Sequence, residues 1–312
     1  MRTRDNRQRF LIESCDVRGQ LVQLDDTWRD ALVRTDYPPA VRDVLGEAFV
    51  AALLLAGTIK FDGRMTLQVR GDGAVYLLVV QVTANGRVRG LARWRDEALA
   101  DTVAADASGA AASSGAAEKP SLDSLFGADA RLVITIETGA RNEPHQGIVA
   151  LEGEGLADAL AGYFRDSEQL QTALFLAVDE RVAAGMLLQK LPAHERTGEA
   201  PEADADGWRR ATLLAETLSE GELRERAVTE LLHALFHEER VRLFEETAVR
   251  FECSCSRERT DAMLQGLGQG EVDDIVAERG SVEITCEFCD AEYRYDAVDV
   301  AALFHGASEA DE

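Results

Sequence analysis

Positive charge is scarce in this chain. Lys and Arg number 33 against 57 Asp and Glu, giving a formal net charge of −24 and a pI near 4.6. Phosphate binding needs a basic surface, so nucleic acid is excluded as the main partner, and an anionic membrane surface with it. Long apolar runs are also missing. The longest, Ala48 to Gly57, falls far short of the roughly 20 residues that cross a bilayer. The basic start, Met1 to Arg9, leads into no apolar signal core. A cytoplasmic, soluble protein is expected. No Ser/His/Asp set stands out, so nothing in the sequence points to an enzyme.

Cysteine is rare too, with five residues, but four of them form a pattern. Cys253-Ser254-Cys255 is a C-x-C pair and Cys286-Glu287-Phe288-Cys289 a C-x-x-C pair, and the residues between hold neither cysteine nor histidine. Two close pairs can bring four sulfurs to one point, as tetrahedral zinc requires. In a reducing compartment such a set is metal-binding or redox-active rather than a disulfide framework. Both readings stay open on the cysteines alone: a structural zinc clip, or a zinc-guarded redox switch. Four-thiolate zinc is a closed site that holds its sulfurs deprotonated. Oxidation would remove the ligands, and the adjacent partners are Cys253 with Cys255 and Cys286 with Cys289. Cys15, beside Ile12 and Val17, reads as a small buried hydrophobe on a strand and not as a ligand.

The remaining hydrophobic content, 46%, is enough for a sizeable core. Phe10 to Leu24 reads as strand segments broken near Gly19. Pro38-Pro39 opens a helix carrying Val41, Val44, Leu45, Ala48, Ala52 and Leu55 at helical spacing, with Gly57 as its C-cap. A strand meander follows at Met65 to Arg70, Val75 to Val82 and Val88 to Trp94, with a hairpin at Asn85-Gly86. Asp96 to Ser124, rich in Ala, Ser, Gly and Asp, reads as a mobile surface loop, the alternative being a short surface helix through its alanines. Strands resume at Leu132 to Glu137 and Gln146 to Leu151. A helix is expected over Leu156 to Arg165, and a last hairpin at Leu174 to Val178 and Ala183 to Leu191.

Beyond an acidic stretch, Pro192 to Gly207, two helices are expected at Trp208 to Thr217 and Leu223 to Glu246. Ser219-Glu220-Gly221-Glu222 matches a capping box before the second. Its apolar stripe is Val228, Leu231, Leu232, Leu235, Phe236 and Leu243, and such a stripe must cover something. Phe251 to Val300 is too short to build its own core and needs the cysteines as a staple. The expected organisation is α+β: an N-terminal antiparallel-sheet core domain with helices at residues 1–192, a helical linker at 193–246, and a small C-terminal zinc domain at 247–312. Two weaker signals carry little. Gly266-Leu267-Gly268-Gln269-Gly270 follows no expected strand and reads as a loop of the zinc domain rather than a phosphate cradle. His233 and His237 share a helix face, but HALFH lacks the glutamate of a zinc-protease helix.

FECSCSRER, EVDDI and CEFC resemble the zinc domain of the heat-shock protein 33 family, the bacterial redox-regulated holdase chaperones. Upstream, DYPPAVRDVLGEAFVAALLLAGTIKFDGRMTLQVRGDG, PHQGIVALEG, YFRDSEQL, AAGMLLQKLP and LFHEERVRLFE resemble the same family, so the likeness spans nearly the whole chain. It implies a non-enzymatic, ATP-independent chaperone. The reduced form would hold one zinc ion on Cys253, Cys255, Cys286 and Cys289 and be inactive. Oxidation with unfolding would form two disulfides, Cys253–Cys255 and Cys286–Cys289, release zinc, unfold the linker and expose a surface for unfolding client proteins, and the active form would tend to a homodimer. Two departures stand out: the long Ala/Ser-rich stretch at 96–124, and Asp290 where a glycine is usual. A constitutive zinc-stabilised interaction module without a switch is the alternative. A thiol-disulfide oxidoreductase using Cys286 and Cys289 lacks the strand-helix context it needs.

Overall fold

The computed structural model describes residues 4–109, 119–138, 144–191 and 206–305. They divide into two compact units, Met1–Phe251 and Glu252–Glu312.

The first unit begins with the hairpin β1 (Asn6–Ile12) and β2 (Val17–Leu24), which pair antiparallel from Asn6↔Gln23 to Ile12↔Val17. The break expected near Gly19 lies instead at residues 13–16, where Asp16 takes φ 50°. Gly19 sits inside β2 because a Cβ there would lie 2.0 Å from the Phe10 ring. Cys15 is therefore on a turn rather than a strand, although it is buried as expected. After α1 (Asp26–Leu32), α2 runs from Pro39 to Ala56. Proline at its first turn supplies a fixed φ where no N–H bond is lost. Gly57 ends it without left-handed geometry, at φ −82°. Every residue from Val44 to Ala56 except Glu47 is buried, as an all-round apolar helix demands.

That helix is the axis of the unit. A second meander, β3 (Gly63–Arg70), β4 (Val75–Thr83) and β5 (Arg87–Trp94), is joined by β6 (Arg131–Thr138) and β7 (His145–Ala150). Gly86, at φ 80°, makes the β4–β5 turn that Asn85-Gly86 predicts. The hairpin of β8 (Thr172–Val178) and β9 (Ala183–Lys190), reached through α5 (Leu156–Asp166), docks β9 on β2. One core cluster fills the space between the sheets around α2, with Val22, Leu24 and Leu187 from one side and Leu67, Val80 and Leu132 from the other.

The stretch expected to be a loop is corrected in part. Asp96–Gly109 is a helix, α3, and Leu122–Phe126 another, α4; residues 110–118 lie outside the described set. Alanine is the strongest helix former, and acids at Asp96 and Glu97 suit a helix N-terminus. Leu99 is the buried anchor. At the far side of the stretch, Lys119 reaches Glu47 at 3.4 Å and Glu220 at 3.3 Å.

The linker region also departs from expectation. Its first helix, α6 (Gly207–Glu216), is as expected, but the long second helix is two, α7 (Glu220–Glu225) and α8 (Val228–Phe236). The capping box at Ser219 and Glu222 opens α7, and extended backbone at Arg226 (ψ 145°) ends it. Beyond His237 the chain is extended. β10 (Val241–Leu243) and β11 (Thr247–Ala248) pair with β1, and β12 (Arg250–Phe251) pairs parallel with β5. Leu243 is thus on a strand, 42% exposed, and not part of the helical stripe. The first sheet has the order β10-β1-β2-β9-β8 with β11 also on β1, and the second β12-β5-β4-β3-β6-β7.

The second unit contains α9 (Arg257–Leu267), α10 (Gln269–Arg279), the hairpin β13 (Val282–Thr285) and β14 (Glu292–Tyr295), and α11 (Ala297–His305). The Gly266–Gly270 stretch is not a plain loop. Gly268, at φ 95°, is the joint between α9 and α10, while Gly266 and Gly270 lie inside helices.

Candidate metal centre and the linker seat

The second unit has a small hydrophobic cluster: Leu264, Val272, Val282, Tyr295 and Val300. A core of this size is marginal without a staple. The Sγ atoms of Cys253, Cys255, Cys286 and Cys289 all lie within 4.8 Å of one another, the only such metal-competent group of His, Cys, Asp or Glu among the described residues. Local structure explains how each pair is aimed. After Cys255, Ser256 caps α9 by accepting from the Arg259 N–H, and Arg259 donates to Ser254 Oγ at 2.8 Å. The chain therefore turns directly from the first pair into a helix. The second pair is the turn of the β13–β14 hairpin. Cys286 N–H donates to Ala291 O at 2.9 Å, and both Cys289 and Asp290 donate to Cys286 O, at 3.3 and 2.8 Å. Asp290 closes that turn at φ 51°, in the left-handed region that glycine adopts most cheaply.

Sulfur contacts cross between the motifs, Cys253–Cys286 at 3.6 Å and Cys255–Cys289 at 3.3 Å. Burial pushes the Cys286 and Cys289 thiols up, and for both a neighbouring thiol adds to the shift. A cation at that point would compensate their negative charge. The donor set fits a soft divalent ion: four sulfurs and no open ligand position, as in structural zinc sites. Such an ion would hold all four as thiolates and tie α9 to the hairpin. Tyr293, on β14, hydrogen-bonds Cys255 and is pushed up to about 12, mainly by that bond. Its place beside the cluster, like that of Ser256 and Arg259, carried no signal in the sequence spacing.

Cys15 stands outside the metal group. Burial raises its thiol, Gly207 packs against it, and Arg210 donates to its Sγ at 3.3 Å. His233 and His237, with ring centroids 6.2 Å apart, also belong to no metal group among the described residues.

In the first unit the linker helices cover the face of the first sheet that points away from α2. Leu223, Leu231, Leu232, Leu235 and Phe236 cluster with Phe10, Ile12, Leu21, Met186 and Leu188. Polar contacts hold the α7–α8 break. Gln23 Nε2 donates to Leu223 O at 2.9 Å and to Arg226 O at 2.8 Å, while Arg4 donates to the Arg224 and Glu225 carbonyls at 3.0 and 2.6 Å. Helix C-terminal carbonyls have no intrahelical partner, so these side chains supply what the break leaves open. Arg224 also meets Asp179 at 3.0 Å. None of these contacts was visible in the sequence, since the Gln23 and Arg4 bonds join positions 200 or more residues apart and the Arg224–Asp179 pair joins two separate elements.

Comparison with known proteins agrees over nearly the full length. The family model described as Hsp33 protein matches residues 5–296. The chain is 43% identical over 304 residues to a 33 kDa chaperonin of Nitrosococcus oceani, covering 97% of this chain and 96% of that one. It is 42% identical over 305 residues to a 33 kDa chaperonin of Chromobacterium violaceum, covering 97% and 95%. A crystal structure of a 33 kDa chaperonin (heat shock protein 33 homolog) from Thermotoga maritima superposes with a TM-score of 0.77 at 21% identity, covering 98% of this chain and 99% of that one.

Proposed function

This chain belongs to the Hsp33 family of chaperones, and we propose that it is a redox-regulated, ATP-independent holdase of the cytoplasm, with no catalytic turnover. In the reduced state Cys253, Cys255, Cys286 and Cys289 hold one zinc ion, and residues 193–246, with α6 to α8 seated on the first sheet, act as a linker between a core domain, 1–192, and a zinc domain, 247–312. The observation that carries the reading is the four-sulfur cluster in a unit with so small an apolar core. Structural zinc contributes roughly 10–16 kcal/mol, comparable to a whole domain's stability.

Peroxide removes that support. In each pair two thiolates give up two electrons, an S–S bond forms, and the peroxide takes up those electrons with two protons from solvent and leaves as two waters. With its ligands consumed the second unit loses its metal and unfolds. The linker, whose helices are short and depend on packing for stability, then leaves the first sheet. The uncovered apolar face, with the freed stripe of α8, takes up unfolding clients, and the active form is a homodimer.

Pairing within the motifs, Cys253–Cys255 and Cys286–Cys289, is proposed because the closest neighbours in an unfolded chain meet most often. The folded site also brings sulfurs of different motifs together, Cys253 beside Cys286 and Cys255 beside Cys289. Peptide mapping after peroxide with mild heating therefore reports when the bonds form: within-motif disulfides are expected, and cross-motif disulfides would mean that oxidation occurs in the folded unit. The function is tested by aggregation of a heat-sensitive client. Protection is expected only from the peroxide-treated protein. Equal protection by the reduced protein would favour a constitutive interaction module.

A further inference from the structure

The outer face of the second sheet gathers positive charge in a chain whose net charge is −24. The residues of β3–β6 that point away from α2 include Arg64, Arg70, Arg89, Arg93 and Arg131, and a single carboxylate, Glu137, among the described residues. The two ends of this face differ. At one end Arg64 lies directly opposite Glu137 and bonds it at 2.6 Å. The next row is neutral, Thr66 opposite Thr135. At the other end Arg70 lies directly opposite Arg131, and Arg93 follows one strand beyond in the same row, across Leu77. Like charges directly opposite on neighbouring strands are destabilising. Among the described residues Arg70, Arg93 and Arg131 form no ion pair, and Arg70 and Arg131 are exposed. Folding does not explain this row, because a neutral pair would serve the sheet better.

We propose that this row is a docking surface for acidic polypeptide segments. Arginine recognises carboxylates through paired, charge-assisted hydrogen bonds. From Arg93 to Arg131 is three strand spacings, roughly 14 Å, which four or five extended residues span. In the adjoining row Gln68 lies between Val79 and Val133, with Ile148, 67% exposed, beyond Val133; the Gln68 oxygen accepts from Arg70 Nη2 at 3.2 Å and steadies that guanidinium, and the valines and isoleucine suit apolar side chains. None of the side chains in these rows is aromatic, so the stacking platform that single-stranded nucleic acid uses is missing. Charges beyond about 8 Å are screened at physiological salt, so the acidic remainder of the chain does not cancel the patch. The surface is independent of the redox switch and gives the chaperone a way to meet acidic proteins that its net charge would otherwise repel.

The test uses the full-length reduced protein and a fluorescein-labelled polyglutamate peptide of about 20 residues, long enough to cover the row, read by anisotropy at several salt concentrations. Wild type should bind, more weakly as salt rises. R70E/R131E should lose about tenfold or more in affinity, equivalent to at least 1.4 kcal/mol. R29E/R165E, which changes net charge equally at exposed sites elsewhere, should stay near wild type. R70T should weaken binding while its thermal midpoint stays level or rises, because it removes the like-charge opposition. The proposal is overturned if wild type does not bind, if both double variants lose affinity equally, or if R70T unfolds early. Single-stranded RNA or polyphosphate binding as tightly through the same arginines would also overturn it, marking a general polyanion surface.

Discussion

The two six-stranded sheets share α2 between them and differ on their other faces. The first carries Phe10, Ile12, Leu21, Met186 and Leu188 outward, and linker helices cover them. The second carries arginines, glutamines and threonines outward at most of the corresponding positions. A sheet with one polar face is complete once the other is packed. A sheet apolar on both faces is not, and needs a cover for as long as it is to stay inert. That asymmetry is what supports the proposal that clients bind the first sheet and that α6 to α8 are its lid.

The largest expected effect comes from removing metal. A chelator acting on the reduced protein should unfold the second unit, with loss of on the order of 10 kcal/mol of support. Far-UV circular dichroism should show α9 to α11 melting while the sheets persist. Cys286→Ser should likewise lower the zinc content below one per chain, and full retention would reject a four-sulfur site.

Next in size is Leu232→Asp. Leu232 is buried under the linker, and an unpaired buried charge costs roughly 3–5 kcal/mol. The variant should suppress aggregation while still reduced and zinc-bound, giving the first sheet an open face like the second's. Gln23→Ala is milder. It strands the Leu223 and Arg226 carbonyls, at about 1–3 kcal/mol, and should lower the oxidant dose or temperature at which activity appears. An unchanged activation midpoint would show that the α7–α8 break is held by its apolar contacts alone. The smallest effect is expected at Asp290→Gly. Relief of the left-handed backbone at φ 51° is offset by the greater freedom of glycine in the unfolded chain, so a gain of under about 1 kcal/mol is expected, read as slightly slower zinc loss to a chelator.

Much of this architecture was legible in residue order. Proline placement and apolar spacing locate α2, Asn85-Gly86 locates a hairpin, and the paired cysteines predict the cluster. Three features were not. α3 has little to bury beyond Leu99, so its composition resembles a loop, and alanine's helix propensity decides instead. This also bears on truncation: deleting Asp101 to Lys119 would cut α3 and remove the Lys119 bridge to Glu47 and Glu220, so the thermal midpoint should fall. The α7–α8 break lies inside a region of mixed helical pattern, and its carbonyls are held by Gln23 and Arg4 from the far end of the chain. Leu243 continues the spacing of the stripe, but β1 offers an open edge that the chain joins as β10.

Hydrogen exchange on the reduced and peroxide-treated protein tests the lid most directly. The account predicts that amides of α6 to α8 and of the second unit lose protection on oxidation, while β3 to β6 and the β2–β9 ladder stay protected. If the oxidised protein is active as a chaperone while α6 to α8 keep full protection, the linker is not the lid.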